Sequence, residues 1–442
     1  MASRVHEIRD PIHGFIKLDS EERKLVNSRP FQRLRHIHQL ALTYLVYPSA
    51  THKRFEHSLG VMDLAGRIYD VVTDPENIHH DSVRDLVPRR EHHDWSYWRR
   101  VVRAAALCHD IGHLPFSHAA EKELLPDGVR HEDISRDLIL SGFLSTEFRD
   151  LKIDPKDVAK IAVGPTCYGR GAGRNQYQFS TWESILYEII GGDVFGADRM
   201  DYLLRDAYHT GVAYGRFDHL RLIETLRILP REDLGSSQPE MGVTVGGLQA
   251  AESLLWARYF MYTQLYFHHI RRIYDVHLTE FLQEALPDGK YSTDLERHLE
   301  MTDNELLAKL ATAASDRDDH CHALAARIVN RGHFRFLYES TPADLEQNLK
   351  APELIARAAA EKFGHHRVRY TPYSSASDSE DFPVYQRDGS IASAVGLSNT
   401  FAQPPRFAVE YVFVAPEVKE KAKTWLDDNK EQILSSGSGP EQ

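Results

Sequence analysis

The stretches 30–40, 56–72, 98–109, 134–140, 181–191, 198–209 and 249–286 repeat their apolar side chains at the three-to-four spacing of an α-helix. Strand-like runs are confined to 226–229 and 242–245, separated by the turn-rich 230–239, and to 407–414. A chain patterned this way buries helices against helices, so a mainly α fold is expected. Beyond about residue 287 the helices shorten, at 302–314 and 322–329, and an α/β mixture follows. This divides the chain into a helical catalytic domain over 1–286 and a smaller α+β C-terminal region over 287–442. In that region the Ser-, Asp- and Gly-rich 374–389 reads as a mobile loop, 416–432 as a final amphipathic helix, and the Ser/Gly end as a disordered tail.

With 442 residues and 42% apolar content the chain can bury one large core or a main and a minor one. No stretch approaches the roughly 20 apolar residues of a membrane span, and residues 1–10 lack the apolar core of a signal peptide. A cytoplasmic protein is the expectation. Cys108, Cys167 and Cys321 are too far apart for a thiolate zinc site and suit a reducing compartment. The net charge of −12 disfavours nucleic acid and anionic membranes as partners. The 25 histidines, many bunched between His36 and His131, direct attention to metal binding.

In Cys108-His-Asp-Ile-Gly-His-Leu-Pro-Phe-Ser-His118 a His and an Asp stand side by side at the end of an apolar helix. Imidazole nitrogen and carboxylate oxygen are both good ligands for a divalent ion, and at a helix end two neighbours can converge. Taken alone, His109-Asp110 reads more readily as a core His beside a capping Asp. Two further ligands are offered by His57, near the start of a second helix, and by Asp198, at the start of a third. Tyr202 and Asp206 follow Asp198 at four and eight residues, on one helical face. His113, four residues after His109, faces the same cavity if the helix persists.

The order His, His-Asp, Asp resembles the signature of the HD superfamily of phosphohydrolases. The flanking text Arg33-Leu-Arg-His-Ile-His-Gln39-Leu, Arg54-Phe-Glu-His-Ser-Leu-Gly-Val61 and Asp201-Tyr-Leu-Leu-Arg-Asp206 resembles its deoxynucleoside triphosphate triphosphohydrolases, the branch of the sterile-alpha-motif and HD-domain enzymes. The resemblance runs from about Ile8 to Tyr338, with no sterile alpha motif expected ahead of it. It implies that His57, His109, Asp110 and Asp198 hold a divalent transition metal, Mn, Fe, Co, Ni or Zn, with Mg accompanying the substrate phosphates. It implies catalytic roles for His113 and His131, with Glu132 orienting His131 and His118 lining the cavity against sugar or phosphate. Arg54, Arg199 and Arg258 are implied on the triphosphate, Arg199 standing where the family has lysine. Gln39, Leu40, Tyr202, Asp206 and Tyr266 are implied around a deoxyribose, Tyr202 leaving no room for a 2′-hydroxyl and Asp206 binding the 3′-hydroxyl.

The family's activator site for a second nucleotide is matched by Gln32, Arg35, Arg221 and Arg331. It departs at Asn27, where an aspartate reads guanine, so activation by a guanine nucleotide is not expected. A homo-oligomer, dimer or tetramer, is. The expected reaction turns a dNTP into deoxynucleoside and inorganic triphosphate. The alternatives are hydrolysis of another nucleotide or phosphate ester, and a non-catalytic nucleotide sensor.

Overall fold

The computed structural model describes residues 5–119, 121–170, 179–231, 238–375, 381–405 and 407–436. The chain is mainly α, with a small α+β C-terminal region. It forms two compact units that interleave along the sequence, one of Met1–Met261, Lys290–Glu305 and Asp378–Pro405, the other of Tyr262–Gly289, Leu306–Ser377 and Arg406–Gln442.

In the first unit residues 54–72 are apolar or small over most of the helix surface, interrupted by Arg54, Glu56, His57, Asp63, Arg67 and Asp70, and so wide an apolar surface requires burial on most sides. The corresponding helix α1 (Arg54–Val72) is buried from Arg54 to Val72 with few interruptions. Around it pack α2 (His93–Cys108), α5 (Thr181–Gly191) and α6 (Ala197–Thr210), while α3 (His131–Leu140) packs on α4 (Pro155–Tyr168) and α6 on α7 (Leu248–Met261). Local chemistry sets the ends of several. Ser180 and Glu183 form a capping box at the start of α5, and α6 stops where Gly211 turns left-handed at φ +77°.

Three expectations are corrected. The helix expected over 30–40 ends early, as Arg29–Arg33 plus a 3-10 turn at Leu34–His36. Beyond it the backbone turns to another partner: Gln39 N–H donates to the His52 carbonyl and Arg54 N–H to that of Ile37. The run 249–286 is broken by a π-helical turn at Tyr262–Tyr266 before His269–Ala285 resumes. Within the expected loop 374–389, residues 376–380 lie outside the described residues. Phe382 and Val384, however, are buried, and Pro383–Tyr385 is a strand that pairs in parallel with Glu240–Thr244. Phe382 packs between Phe195 and Phe401, which gives this short polar-flanked segment its apolar anchor. The expected tail beyond 436 also lies outside the described residues.

The second unit is built on a three-stranded sheet in which Phe407–Val414 lies between Arg335–Glu339 and Val368–Ser375. A central strand with both faces covered needs a continuous apolar run, and Tyr411-Val-Phe-Val414 supplies one. Val412 and Val414 face Ala351, Ile355, Ala359, Ala422 and Leu426, while Tyr411 and Phe413 face Ile273 and Phe334. Phe413→Ala is expected to destabilise this unit by about 3–5 kcal/mol, since the residue is fully buried. A lowered denaturant midpoint for a probe within 306–375 checks it. No helix of the described residues is long and apolar enough to cross a membrane.

Candidate metal centre and active site

Three helices of the first unit converge on one cluster. His57 comes from the first turn of α1, His109 and Asp110 from the turn that ends α2, and Asp198 from the first turn of α6. The His57 Nε2 lies 3.0 Å from Asp198 Oδ1 and 3.6 Å from Asp110 Oδ2. His109 Nε2 lies 3.3 Å from Asp110 Oδ1 and 3.6 Å from Asp198 Oδ1. One ligand atom each from His57, His109 and Asp198 fits within 4.8 Å, a spacing that a single ion can span. The side chain of Asp198 is 37% exposed, so the cluster opens on that side, whereas the other three are buried.

The donor atoms are presented for a cation. His109 donates its Nδ1 proton to the Ala106 carbonyl (2.7 Å), and its buried Nε2 has no hydrogen-bond partner among the described residues. His57 donates Nδ1–H to Asp201 (2.8 Å), which turns the Nε2 lone pair inward. Burial disfavours charge on His57, yet the carboxylates of Asp198 and Asp201 push its pKa up to about 10, so a bound ion would have to displace the proton on Nε2 before taking that lone pair. Burial likewise opposes ionisation of Asp110, but Arg54, His109 and His113 hold its carboxyl well below the usual range. Two imidazoles and two ionised carboxylates suit Mn, Fe, Co, Ni or Zn and leave coordination positions for other ligands.

Behind this cluster lies a buried ionic lattice that sequence reasoning missed. Asp201 accepts from His57, from His13 Nε2 (2.6 Å) and from Arg205 Nε and Nη2 (2.8 and 2.9 Å), and Arg205 reaches on to Asp10 (2.8 Å). Asp201 and Arg205 are both fully buried. Gly60 is the price of this approach: a Cβ there would fall 1.9 Å from Asp201 Oδ1.

Beside this cluster stands a histidine group. The rings of His113 and His131 stack with centroids 3.7 Å apart, and His118 meets both edge-on. The stack depends on Gly112, whose Cβ would collide with the backbone of Ser135 (2.3 Å) and His131 (2.4 Å). Ser135 completes the join, accepting from Gly112 N–H (2.9 Å) and donating to the His109 carbonyl (2.8 Å). His113, buried beside Arg54 and His131, has its pKa driven well below the imidazole range and is neutral.

Glu132, expected to orient His131, lies 3.3 Å from its Nδ1, but Glu121 lies closer. One Glu121 oxygen accepts from the His131 backbone N–H and meets His131 Nδ1, both at 2.8 Å, and the other meets His118 Nδ1 at 3.0 Å. Burial would raise the Glu121 carboxyl, yet the hydrogen bonds from His118 and His131 hold it well below its ordinary value. Its position three residues after His118 was the available signal.

The other expected residues are distributed as follows. Arg54 is buried, ion-paired with Asp110, and donates Nε–H to Ser117 Oγ (2.7 Å). Asp206 is bound by His52 Nε2 (2.7 Å), and Gln39 N–H donates to the His52 carbonyl, so Gln39, Leu40 and Asp206 are brought together. Gln39 Oε1 is buried without a hydrogen-bond partner among the described residues. Arg199 and Tyr202 occupy the first two turns of α6, and Arg258 the last turn of α7, which packs on α6. Tyr266 ends the π-helical turn and falls in the second unit. Of the expected activator residues, Arg35 donates to Gln32 (2.9 Å), Arg221 lies 3.8 Å from Glu224, and Arg331 falls in the second unit.

Residues 54–172 match the HD domain and residues 217–367 the HD-associated region. The uncharacterized Bacillus subtilis protein YwfO is 33% identical over 74% of this chain and 71% of its own length. The chain belongs to the HD-domain family. The deoxynucleoside triphosphate triphosphohydrolase SAMHD1 of Gallus gallus is 29% identical to this HD-domain protein, over 76% of its chain and 57% of the relative's. The solved structure of a hypothetical protein from Aquifex aeolicus superimposes with a TM-score of 0.76 at 31% identity, covering 96% of this chain and 100% of that one. A phosphohydrolase from Bacteroides thetaiotaomicron shares the fold, with a TM-score of 0.68 at 22% identity over 93% of this chain and 100% of its own. Membership places the HD-domain protein among phosphohydrolases, and its His/Asp cluster is one that can hold a metal.

Proposed function

We propose that this HD-domain protein hydrolyses deoxynucleoside triphosphates to deoxynucleoside and inorganic triphosphate. The observation that carries the reading is the convergence of His57, His109, Asp110 and Asp198 directly beside the His113–His131 stack, in a chain 29% identical to a dNTP triphosphohydrolase. A divalent ion held by those four side chains would supply Lewis-acid stabilisation of charge on the phosphoryl oxygens. Water adds its oxygen to the α-phosphorus, the bond from phosphorus to the 5′-oxygen breaks, and the departing oxygen takes a proton. His131 is the donor. Burial opposes its charge, but the Glu121 carboxylate raises its pKa above the ordinary imidazole value, which favours the protonated ring. Arg199 and Arg258 neutralise the triphosphate, and Tyr202, Asp206, Gln39 and Leu40 enclose the sugar. A nucleotide activator at Gln32, Arg35, Arg221 and Arg331, and a homodimer or tetramer, extend the same reading.

Incubating the metal-loaded protein with each dNTP, singly and mixed, tests it by anion exchange. Intact tripolyphosphate is the expected product, and turnover only in mixtures would reveal an activator. Orthophosphate released stepwise, or no turnover in any mixture, would sink the assignment and move the substrate to another phosphate ester. Glu121→Gln removes the charge that raises the pKa of His131. The alkaline fall in kcat is therefore expected at lower pH than in the wild type. A pH profile of kcat reads this directly, and an unmoved alkaline limb contradicts the role of His131 as acid.

A further inference from the structure

Asp303 is remote in sequence from every residue assigned above, yet its carboxylate is fully buried. A charge at that depth needs donors on both oxygens. Oδ2 accepts from the His38 backbone N–H (2.8 Å) and meets His38 Nδ1 (2.6 Å), while Oδ1 accepts from the Phe116 backbone N–H (2.7 Å). Lys53 Nζ donates to His38 Nε2 (2.6 Å), which places the ring proton on Nδ1, facing Asp303.

The donors belong to two separate segments of the site. His38 adjoins Gln39 and Leu40, and Phe116 lies between His113 and His118. Phe116 and Ser117 both adopt the left-handed region, at φ +60° and +57°, which L side chains rarely enter. Two such residues in succession persist only where their surroundings hold them. Asp303 holds the first, and Ser117 Oγ donates to the His38 carbonyl (2.7 Å) while accepting from Arg54.

We infer that Asp303 is a positioning residue, whose two oxygens hold the 113–118 turn and the 38–40 segment in one fixed mutual geometry. The inference rests on the assignment of the reaction to this site, not on the identity of the nucleotide. An asparagine has the same shape but one acceptor oxygen, so its amide N–H would oppose the N–H of either His38 or Phe116. Whichever segment loses its donor to Asp303 also loses the Ser117 Oγ–His38 carbonyl contact that ties the two together, so both segments are loosened.

The test compares metal-loaded wild type and Asp303→Asn by hydrogen exchange and single-turnover hydrolysis. Amides of 36–40 and 113–118 are both expected to exchange about tenfold faster or more, with Pro155–Tyr168 and the metal content unchanged. The chemical step is expected to slow about tenfold or more, as for loss of a supporting hydrogen bond. Added to His118→Ala, Asp303→Asn then costs less than about threefold, because coupled residues are not additive. Faster exchange in one segment alone, or in neither, overturns the inference, as do losses that multiply in the double variant. His38→Phe keeps Asp303 and both backbone donors to it, and removes the ring donor together with the ring's bond to Lys53. It serves if Asp303→Asn does not fold: a smaller acceleration in both segments supports the inference, and unaltered exchange overturns it. A wild type that hydrolyses no dNTP sinks the substrate reading, while the exchange measurements still decide the role of Asp303.

Discussion

Asp110→Asn is expected to abolish the proposed hydrolysis and leave the protein folded, whereas Asp110→Ala is expected to lose both activity and stability. The two outcomes separate because Asp110 does two jobs. As a proposed ligand it would help hold an ion whose charge stabilisation is worth several kcal/mol in the transition state, about 10³-fold in rate. As a partner it neutralises Arg54, which is 3% exposed. Alanine strands that guanidinium, and breaking a buried pair costs about 3–5 kcal/mol. Asparagine keeps one oxygen for the guanidinium while weakening the metal. Metal content and denaturant unfolding, measured beside turnover, check the split. Full activity in Asp110→Asn would remove this residue from the ligand set.

Arg205→Met is expected to show the second largest effect, although Arg205 touches no proposed ligand of the metal. It stands between two buried carboxylates, Asp10 and Asp201. Without it both are left short of positive charge, at a cost of about 3–5 kcal/mol. Asp201 is also the acceptor that fixes the His57 ring, so metal affinity is expected to fall about 10- to 100-fold. Equilibrium metal titration and chemical denaturation test the two consequences together. Loss of stability at unchanged metal affinity would show that the lattice does not orient His57.

The cluster of His57, His109, Asp110 and Asp198 was legible chiefly through the order His, His-Asp, Asp that resembles the HD signature; helix-end position and apolar pattern alone mark these residues only as candidates. Asp303 was not legible, since nothing local marks a carboxylate whose partners lie at residues 38 and 116. Glu121 was half legible: its spacing from His118 is visible, but its reach to His131 depends on the close docking of Gly112 against Ser135. Arg54 reads as a cation for phosphates, and sequence carries no hint of its ion pair with Asp110. In the fold, Phe407–Val414 was readable from its apolar run. Pro383–Tyr385 was hidden because a three-residue strand has no period of its own and takes its conformation from Glu240–Thr244.

That parallel pairing bears on how the protein is made. Val243 pairs with Val384, 141 positions later, so at ribosomal speeds of about 5–20 residues per second the earlier strand waits roughly 7 to 30 s for its neighbour. Throughout that interval the nascent chain carries an apolar strand edge with open amide and carbonyl groups, a template for wrong pairing. A binding factor acting during synthesis is most useful between translation of residues 244 and 384, and release of the chain before residue 384 leaves the first unit's sheet unfinished.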